Sequence, residues 1–433
     1  MKYFLIHGSF GNPEENWFPW LKEQLEKDGN QVIVPKFPTP ENQSLDSWLE
    51  VFEEYKNEID KNTIFVGHSL GPAFILSVLE NIDVKVKGCI FVAGFLGLLG
   101  NEEFDNVNKT FTTKDFDWNK ITSNCEQFLM FNSDNDPYVP LNHSRDMANG
   151  LGIKLNIIKG GKHLNASAGF TKFPELLSHC KLIEKQEKVF MKGELGKVCG
   201  VLHKVNGASE ITIIVHGFSS NKESGSSIKT SLLLNNINIS TLRIDLDNQG
   251  ESELDFETGI SIHNYIKQIE AAIFYCKSLN YKEISLVGTS FGGISVFATA
   301  MYHSEIKRMV LRCPVVDYQR HLIRRQGKEN MNKFKKIGII PYESGSGKKY
   351  NINYGIFETS KDYSMFDHAK DVKMPTLIIQ GTEDEAVDWT LAKEVVNLFP
   401  NAKLHVIEGA KHSLGINGDF SESQRVLVDF FKE

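Results

Sequence analysis

The sequence predicts two α/β domains in tandem, each a mostly parallel sheet with helices on both faces, the second carrying a cap insertion. Three observations predict it. Short apolar runs rich in β-branched and aromatic residues recur along the chain, as parallel strands buried on both faces require. Amphipathic stretches that suit helices, such as Ser44 to Ile59 and Ile262 to Lys277, lie between them, and strands alternating with helices build a layered α/β sheet. Finally, the same order of chemical signals occurs twice, which marks an internal repeat.

Each copy opens on a strand that ends in His-Gly: Tyr3-Phe4-Leu5-Ile6-His7-Gly8, then Ile211-Thr212-Ile213-Ile214-Val215-His216-Gly217. A strand running into Gly-x-Ser-x-Gly follows, Ile64-Phe65-Val66-Gly67-His68-Ser69-Leu70-Gly71 and Ile284-Ser285-Leu286-Val287-Gly288-Thr289-Ser290-Phe291-Gly292. Next, a strand ends in an acidic turn, Ser133-Asp134-Asn135-Asp136 and Gly381-Thr382-Glu383-Asp384. Each copy closes on a glycine turn and a histidine, Gly160-Gly161-Lys162-His163 and Gly409-Ala410-Lys411-His412. The charged segment Lys181 to Lys188, which holds no Gly or Pro, separates the copies. The expected domains are therefore residues 1–184 and 185–433.

Spacing places the cap. Acid and histidine are 27 residues apart in the first copy and 28 in the second, whereas serine and acid are 67 and 94 apart. The excess lies between nucleophile and acid, and the cap is expected at about 319–361. Residues 319–361 hold ten Lys+Arg against three acids. One reading of that charge is a solvated helical face opposite Leu322, Ile323 and Phe334. The sharper reading has these cations meet an anionic acyl substrate or a membrane surface.

Composition excludes several classes. The 433 residues suit two or three domains at about 100–200 residues each, and 41% hydrophobic content with 24% charged residues rules out a disordered chain. The net charge of −7 gives no reason to expect a nucleic-acid partner, whose binding needs clustered cations. Residues 1–185 carry all of it, with 18 Lys+Arg against 25 Asp+Glu. Six scattered cysteines without a C-x-x-C read as buried reduced thiols rather than a disulfide framework or zinc site. Gly88 to Gly100, the longest weakly polar stretch at 13 residues, falls short of the about 20 a membrane span needs, and the N-terminal apolar run is too short for a signal peptide. The expectation is a cytoplasmic protein with no membrane span.

Gly-x-Ser-x-Gly points to chemistry because a strand must turn sharply into a helix with serine at the apex. The turn exposes the hydroxyl and sets the following N–H at the positive end of a helix, where it can hold an oxyanion. Pro72, just after the second glycine of the first copy, fits a first helical turn. With an acid and a histidine following in that order, the catalytic candidates are Ser69, Asp136 and His163, then Ser290, Asp384 and His412. The serine attacks a carbonyl, the histidine moves the proton, and the acid orients the imidazole. Each acidic turn offers an alternative, Asp134 in the first and Glu383 or Asp388 in the second. Oxyanion donors are expected at the N–H groups of Ser9 and Leu70, and of Phe218 and Phe291.

Residues 1 to about 182 resemble the small, lidless serine hydrolases of the retinoblastoma-binding-protein type. The resemblance rests on His7-Gly8-Ser9, the Ser69 elbow, Asp134-Asn135-Asp136-Pro137-Tyr138-Val139-Pro140 and Gly160-Gly161-Lys162-His163-Leu164-Asn165. Residues from about 188 onward resemble the α/β-hydrolases that include cinnamoyl (feruloyl) esterases and monoacylglycerol lipases. That match rests on His216-Gly217-Phe218, the Ser290 elbow, Thr382-Glu383-Asp384 and Lys411-His412-Ser413. It departs at Asp247-Asn248-Gln249-Gly250-Glu251-Ser252, where many relatives carry Arg-Gly-His-Gly-x-Ser. The resemblance implies serine-dependent hydrolysis of a small-molecule carboxylic ester, with the capped second domain the more efficient, and it favours Asp136 over Asp134. The alternatives are a non-catalytic binding or regulatory first domain, and peptidase or thioesterase chemistry on the same machinery.

Other motifs read blandly. His7 and His216 brace the turns they precede, and His68 sits inside the elbow. No His-Glu-x-x-His occurs, so a catalytic metal is not expected, and the expected chemistry calls for no cofactor. Gly345-Ser346-Gly347-Lys348 fails the phosphate-loop pattern, because residue 342 is Tyr and residue 349 is Lys. The number of subunits is left open.

Overall fold

A computed structural model describes all residues except 154, 249 and 344–348, so the Gly345 to Lys348 turn lies outside the described residues. The chain divides into two compact units, Met1–Gln186 and Glu187–Glu433.

In the first unit, six strands form one sheet in the order β2-β1-β3-β4-β5-β6. They are β1 (Lys2–Ile6), β2 (Gln31–Ile33), β3 (Thr63–His68), β4 (Gly88–Val92), β5 (Phe128–Ser133) and β6 (Leu155–Ile158), and every pairing is parallel. Because side chains alternate across a strand, the apolar runs feed two cores at once. Phe4, Ile6 and Phe65 enter one, while Tyr3, Leu5, Ile64 and Val66 enter the other. A continuous hydrophobic run is thus what a sheet covered on both faces needs.

The second unit has eight strands in the order β16-β15-β12-β11-β9-β10-β8-β7. These are β7 (Gln186–Gly193), β8 (Gly196–His203), β9 (Glu210–Val215), β10 (Ser240–Ile244), β11 (Glu283–Thr289), β12 (Met309–Arg312), β15 (Thr376–Gly381) and β16 (Ala402–Ile407). From β10 to β16 the pairings are parallel, and β8 runs antiparallel to β10. The amphipathic stretch after β10 forms the helix Ile262–Ser278, capped by the Ser261 side chain accepting from the Asn264 N–H.

An insertion separates β12 from β15. It holds the helices Tyr318–Gln326 and Lys328–Ile337 and a hairpin of β13 (Ile339–Glu343) and β14 (Lys349–Asn353). Alternation again decides its packing, since Ile340, Tyr350 and Ile352 are buried. Asp317 caps the first of these helices by accepting from the Arg320 N–H at 2.9 Å. Among the cations, Lys333 and Lys335 pair at the surface with Glu329 and Glu358, each at 3.3 Å.

All six cysteines are free and buried. Among the described residues no helix is long and apolar enough to cross a membrane.

Candidate active sites

Both serines sit where the motif chemistry demands. Ser69 directly follows β3 with φ of 59° and Ser290 directly follows β11 with φ of 55°, the left-handed region that a side chain enters at a cost of about 1–3 kcal/mol. Neighbouring strands hold them there. The Ser69 N–H donates to the Val92 carbonyl at 2.9 Å, and the Ser290 N–H to that of Arg312 at 2.8 Å. Helices Gly71–Glu80 and Phe291–Ala300 start immediately beyond.

Close approach explains the glycines. A Cβ on Gly71 would lie 2.4 Å from the Ile6 carbonyl oxygen, and one on Gly292 only 2.2 Å from that of His216. Each helix start is therefore pressed against the end of the strand that leads into the His-Gly turn. Gly292→Ala is expected to destabilise the chain by about 1–3 kcal/mol, read as a lower urea midpoint with unchanged slope. The opposing atom is backbone, so the elbow itself must move.

Each acid meets its histidine. His163 Nδ1 lies 2.8 Å from Asp136 Oδ2, and His412 Nδ1 lies 2.8 and 2.9 Å from the two Asp384 oxygens. Two of the alternative acids are engaged elsewhere, since Asp134 accepts from the Gly160 N–H at 2.7 Å and Asp388 caps its helix by accepting from the Thr390 N–H, while Glu383 is exposed. Asp136 also accepts from the N–H groups of Tyr138 and Val139, and Asp384 from those of Ala386 and Val387. Burial opposes the charge on Asp384. The His412 contact and the two N–H groups outweigh it and hold the carboxyl below its usual range. Among the described residues neither serine Oγ hydrogen-bonds its histidine, a contact that commonly tightens only when substrate binds.

The two His-Gly turns are built alike. His7 Nδ1 lies 2.8 Å from the Gly8 carbonyl oxygen while His7 Nε2 accepts from the Phe37 N–H at 3.1 Å. His216 repeats this with the Gly217 carbonyl at 2.7 Å and the Leu246 N–H at 3.1 Å. Accepting at Nε2 leaves the proton on Nδ1, so each ring is neutral and clamps its turn. Burial lowers the His7 pKa in keeping with that role. Backbone N–H groups of Ser9, Leu70, Phe218 and Phe291 make no hydrogen bond among the described residues. A Cβ on Gly8 would stand 3.1 Å from Ser69 Oγ, and one on Gly217 3.9 Å from Ser290 Oγ, so both turns lie beside their serines.

Several neighbours were not legible in the sequence. His68 Nε2 lies 3.0 Å from the His163 carbonyl, and burial, with the His163 ring beside it, takes its pKa down to about 3. It therefore holds the histidine loop as a neutral donor. In the second unit Gln380 donates to Asp384 Oδ2 at 2.9 Å. Around the first site, the Ser9 hydroxyl donates to Asn108 Oδ1, and Gln43 Nε2 joins both. Phe104, on the helix Glu102–Thr112, meets Tyr138, whose ring lies 5.0 Å from that of His163.

Two groups of potential metal donors occur among the described residues, Cys313 with Asp384 and His412, and Cys199 with Asp245 and Glu251. In the second, a cation is already present: Lys222 Nζ lies 2.7 Å from Asp245 and 2.6 Å from Glu251. In the first, burial and the Asp384 charge push the Cys313 thiol well above its usual range, which keeps it protonated beside the Asp–His pair.

Comparison with known proteins agrees with this doubling. The family model described as serine hydrolase matches residues 3–181, and that of an uncharacterised family, UPF0227, matches residues 211–432. YdeN of Bacillus subtilis is 32% identical over 173 residues, 40% of this chain and 90% of that protein. Human monoacylglycerol lipase ABHD6 is 23% identical over 254 residues, 50% of this chain and 74% of the lipase. A solved protein of Agrobacterium vitis has a TM-score of 0.50 at 17% identity, covering 57% of this chain and 98% of its own, a likeness of fold. The chain belongs to the serine hydrolase family through its first unit and to the UPF0227 family through its second, and it is a serine hydrolase with two α/β-hydrolase regions.

Proposed function

We propose that the chain hydrolyses small-molecule carboxylic esters with two Ser-His-Asp triads. Ser69 or Ser290 attacks the ester carbonyl while His163 or His412 takes the hydroxyl proton at Nε2. Asp136 or Asp384 holds Nδ1 protonated and balances the imidazolium that forms. The tetrahedral oxyanion accepts from the N–H groups of Ser9 and Leu70, or of Phe218 and Phe291, donors already aimed before charge develops. The histidine then returns its proton to the leaving alcohol, and water repeats the cycle on the acyl-enzyme.

The carrying observation is the pairing, in each unit, of a buried carboxylate with histidine Nδ1 at 2.8 Å. That contact fixes the tautomer whose free Nε2 can act as a base. The capped second unit is the more efficient, because a cap excludes water and shapes an acyl pocket. A cytoplasmic location and hydrolysis without a cofactor complete this reading.

A fluorophosphonate tests it. Two labelled serines are expected in the full chain, one in Ser69→Ala, one in Ser290→Ala and none in the double variant. A single label, lost in Ser290→Ala, would leave the first unit as a binding module. An ester, thioester and anilide of one acyl chain, compared in Ser69→Ala, separate the chemistries, and the ester is expected to turn over fastest.

A further inference from the structure

The helix Tyr318–Gln326 lays one face over the second site. Tyr318 stands 4.8 Å from the Phe291 ring, and the His321 ring stacks on Tyr318 at 5.9 Å. One turn on, Arg325 lies 5.1 Å above the Tyr342 ring, which packs at 4.7 Å on Phe218. The helix therefore reaches both residues that supply the oxyanion N–H groups.

Beside this face lies a cavity whose walls include Val315, Val316, Val387, His321 and Arg324. Its floor joins the catalytic chain on both sides. The Val315 N–H donates to the Ser290 carbonyl at 3.1 Å, and the Val387 N–H to Asp384 at 2.9 Å. The cavity's own acids are committed. Asp317 caps the helix, pairs with Arg320 at 3.6 Å and accepts from Ser364, and Asp388 accepts from Thr390. Arg324 makes no ion pair or hydrogen bond among the described residues, and neither does the His321 ring. Burial first, then the charges of Arg325 and Arg324, take the His321 pKa down to about 4, so at neutral pH it is a neutral donor and acceptor.

We infer that this cavity is an anion subsite of the second active site, and that the preferred esters carry a carboxylate held by Arg324 and His321. The inference rests on the ester-hydrolase reading above. A guanidinium matches a carboxylate in charge and fork geometry. Val315, Val316 and Val387 are buried and supply apolar contact, while the exposed Arg324 keeps the pair sensitive to salt. Arg320 and Arg324 both border the cavity, Arg324 from an exposed position at its rim, and Arg320 is paired with Asp317, which leaves Arg324 as the unpaired cation there among the described residues.

The test uses the full chain carrying Ser69→Ala, so that Ser290 alone is measured. Para-nitrophenyl hydrogen adipate is compared with its methyl ester, and para-carboxyphenyl butyrate with its methyl ester. The first pair places the carboxylate on the acyl chain and the second on the leaving group. The wild-type cavity is expected to favour the anion in one pair. Arg324→Gln is expected to lower that preference by about tenfold, as loss of one charge-assisted contact does, mainly through KM. Arg324→Glu should invert it, and Lys335→Gln should leave it unchanged. Equal turnover within both pairs, or preferences that ignore both Arg324 variants, would overturn the subsite while the Ser290 reading stands. Turnover that survives addition of Ser290→Ala would sink the reading itself.

Discussion

In the Ser69→Ala background, Asp384→Asn is expected to lower kcat for ester hydrolysis about 10⁴-fold with little change in KM. The hydrogen bonds around Asp384 say why the amide cannot substitute. Oδ1 accepts from the N–H groups of Ala386 and Val387, so that position must remain an oxygen. The amide NH₂ then falls where Oδ2 was, facing Gln380 Nε2 at 2.9 Å and His412 Nδ1 at 2.8 Å. Two donors would meet at Gln380. Against the amide NH₂ Nδ1 of His412 could serve only as an acceptor, which moves its proton to Nε2 and removes the base, and the 2.9 Å contact that Nδ1–H keeps to Oδ1 no longer carries the negative charge that balances the imidazolium. Steady-state kinetics with a thermal melt as folding control decide the matter. A variant that keeps a tenth or more of the wild-type kcat would take the orienting role away from Asp384.

What the sequence made legible follows from what is local. The elbow was readable because Gly67, Gly71, Gly288 and Gly292 lie within two residues of their serines, and close backbone approach there admits nothing larger. Strands β1, β3, β9 and β11 were readable because burial on both faces leaves continuous apolar runs. Boundaries set by packing were not. Ser44 to Ile59 reads as one helix, yet the helix Leu45–Glu53 stops early and a short 3₁₀ turn Lys56–Glu58 follows. The charged stretch after Lys181 divides between the helix Pro174–Lys185 and strand β7, in which Gln186, Val189 and Met191 are buried.

Partners distant in sequence were equally hidden. Asn108 lies 99 residues from the Ser9 hydroxyl it accepts from, and no spacing rule joins a helical asparagine to a turn. The cap cations show the same limit from another side. Their number is plain in the sequence, but which of them border the cavity depends on Tyr318 and Leu322 packing beneath the helix.

The second large effect is expected at Lys222→Met, which should destabilise the chain by about 3–5 kcal/mol, as removal of one partner from a buried ion pair does. Lys222 is 3% exposed and Asp245 is fully buried. Asp245 would retain the N–H groups of residues 222 and 251 but lose its only ammonium among the described residues. The loss reaches the active site, because Asp245 ends the segment whose next residue, Leu246, donates its N–H to His216. A fall in Ser290-dependent kcat should therefore accompany the fall in stability.

The pH dependence separates this network from simple loss of packing. Partial burial of Glu251 opposes its charge, but Lys222 and Lys188 take its pKa down from 4.5 to about 2. A carboxyl lowered in the folded state contributes stability above its ordinary pKa and loses it as pH falls through the folded value. Wild type should thus shed this contribution between about pH 4.5 and pH 2, a loss that Lys222→Met shares only in the part owed to Lys188. Urea unfolding should show the two proteins converging in acid. A gap that stayed constant from neutral pH down to about pH 3 would mean that Lys222 acts through its methylenes alone.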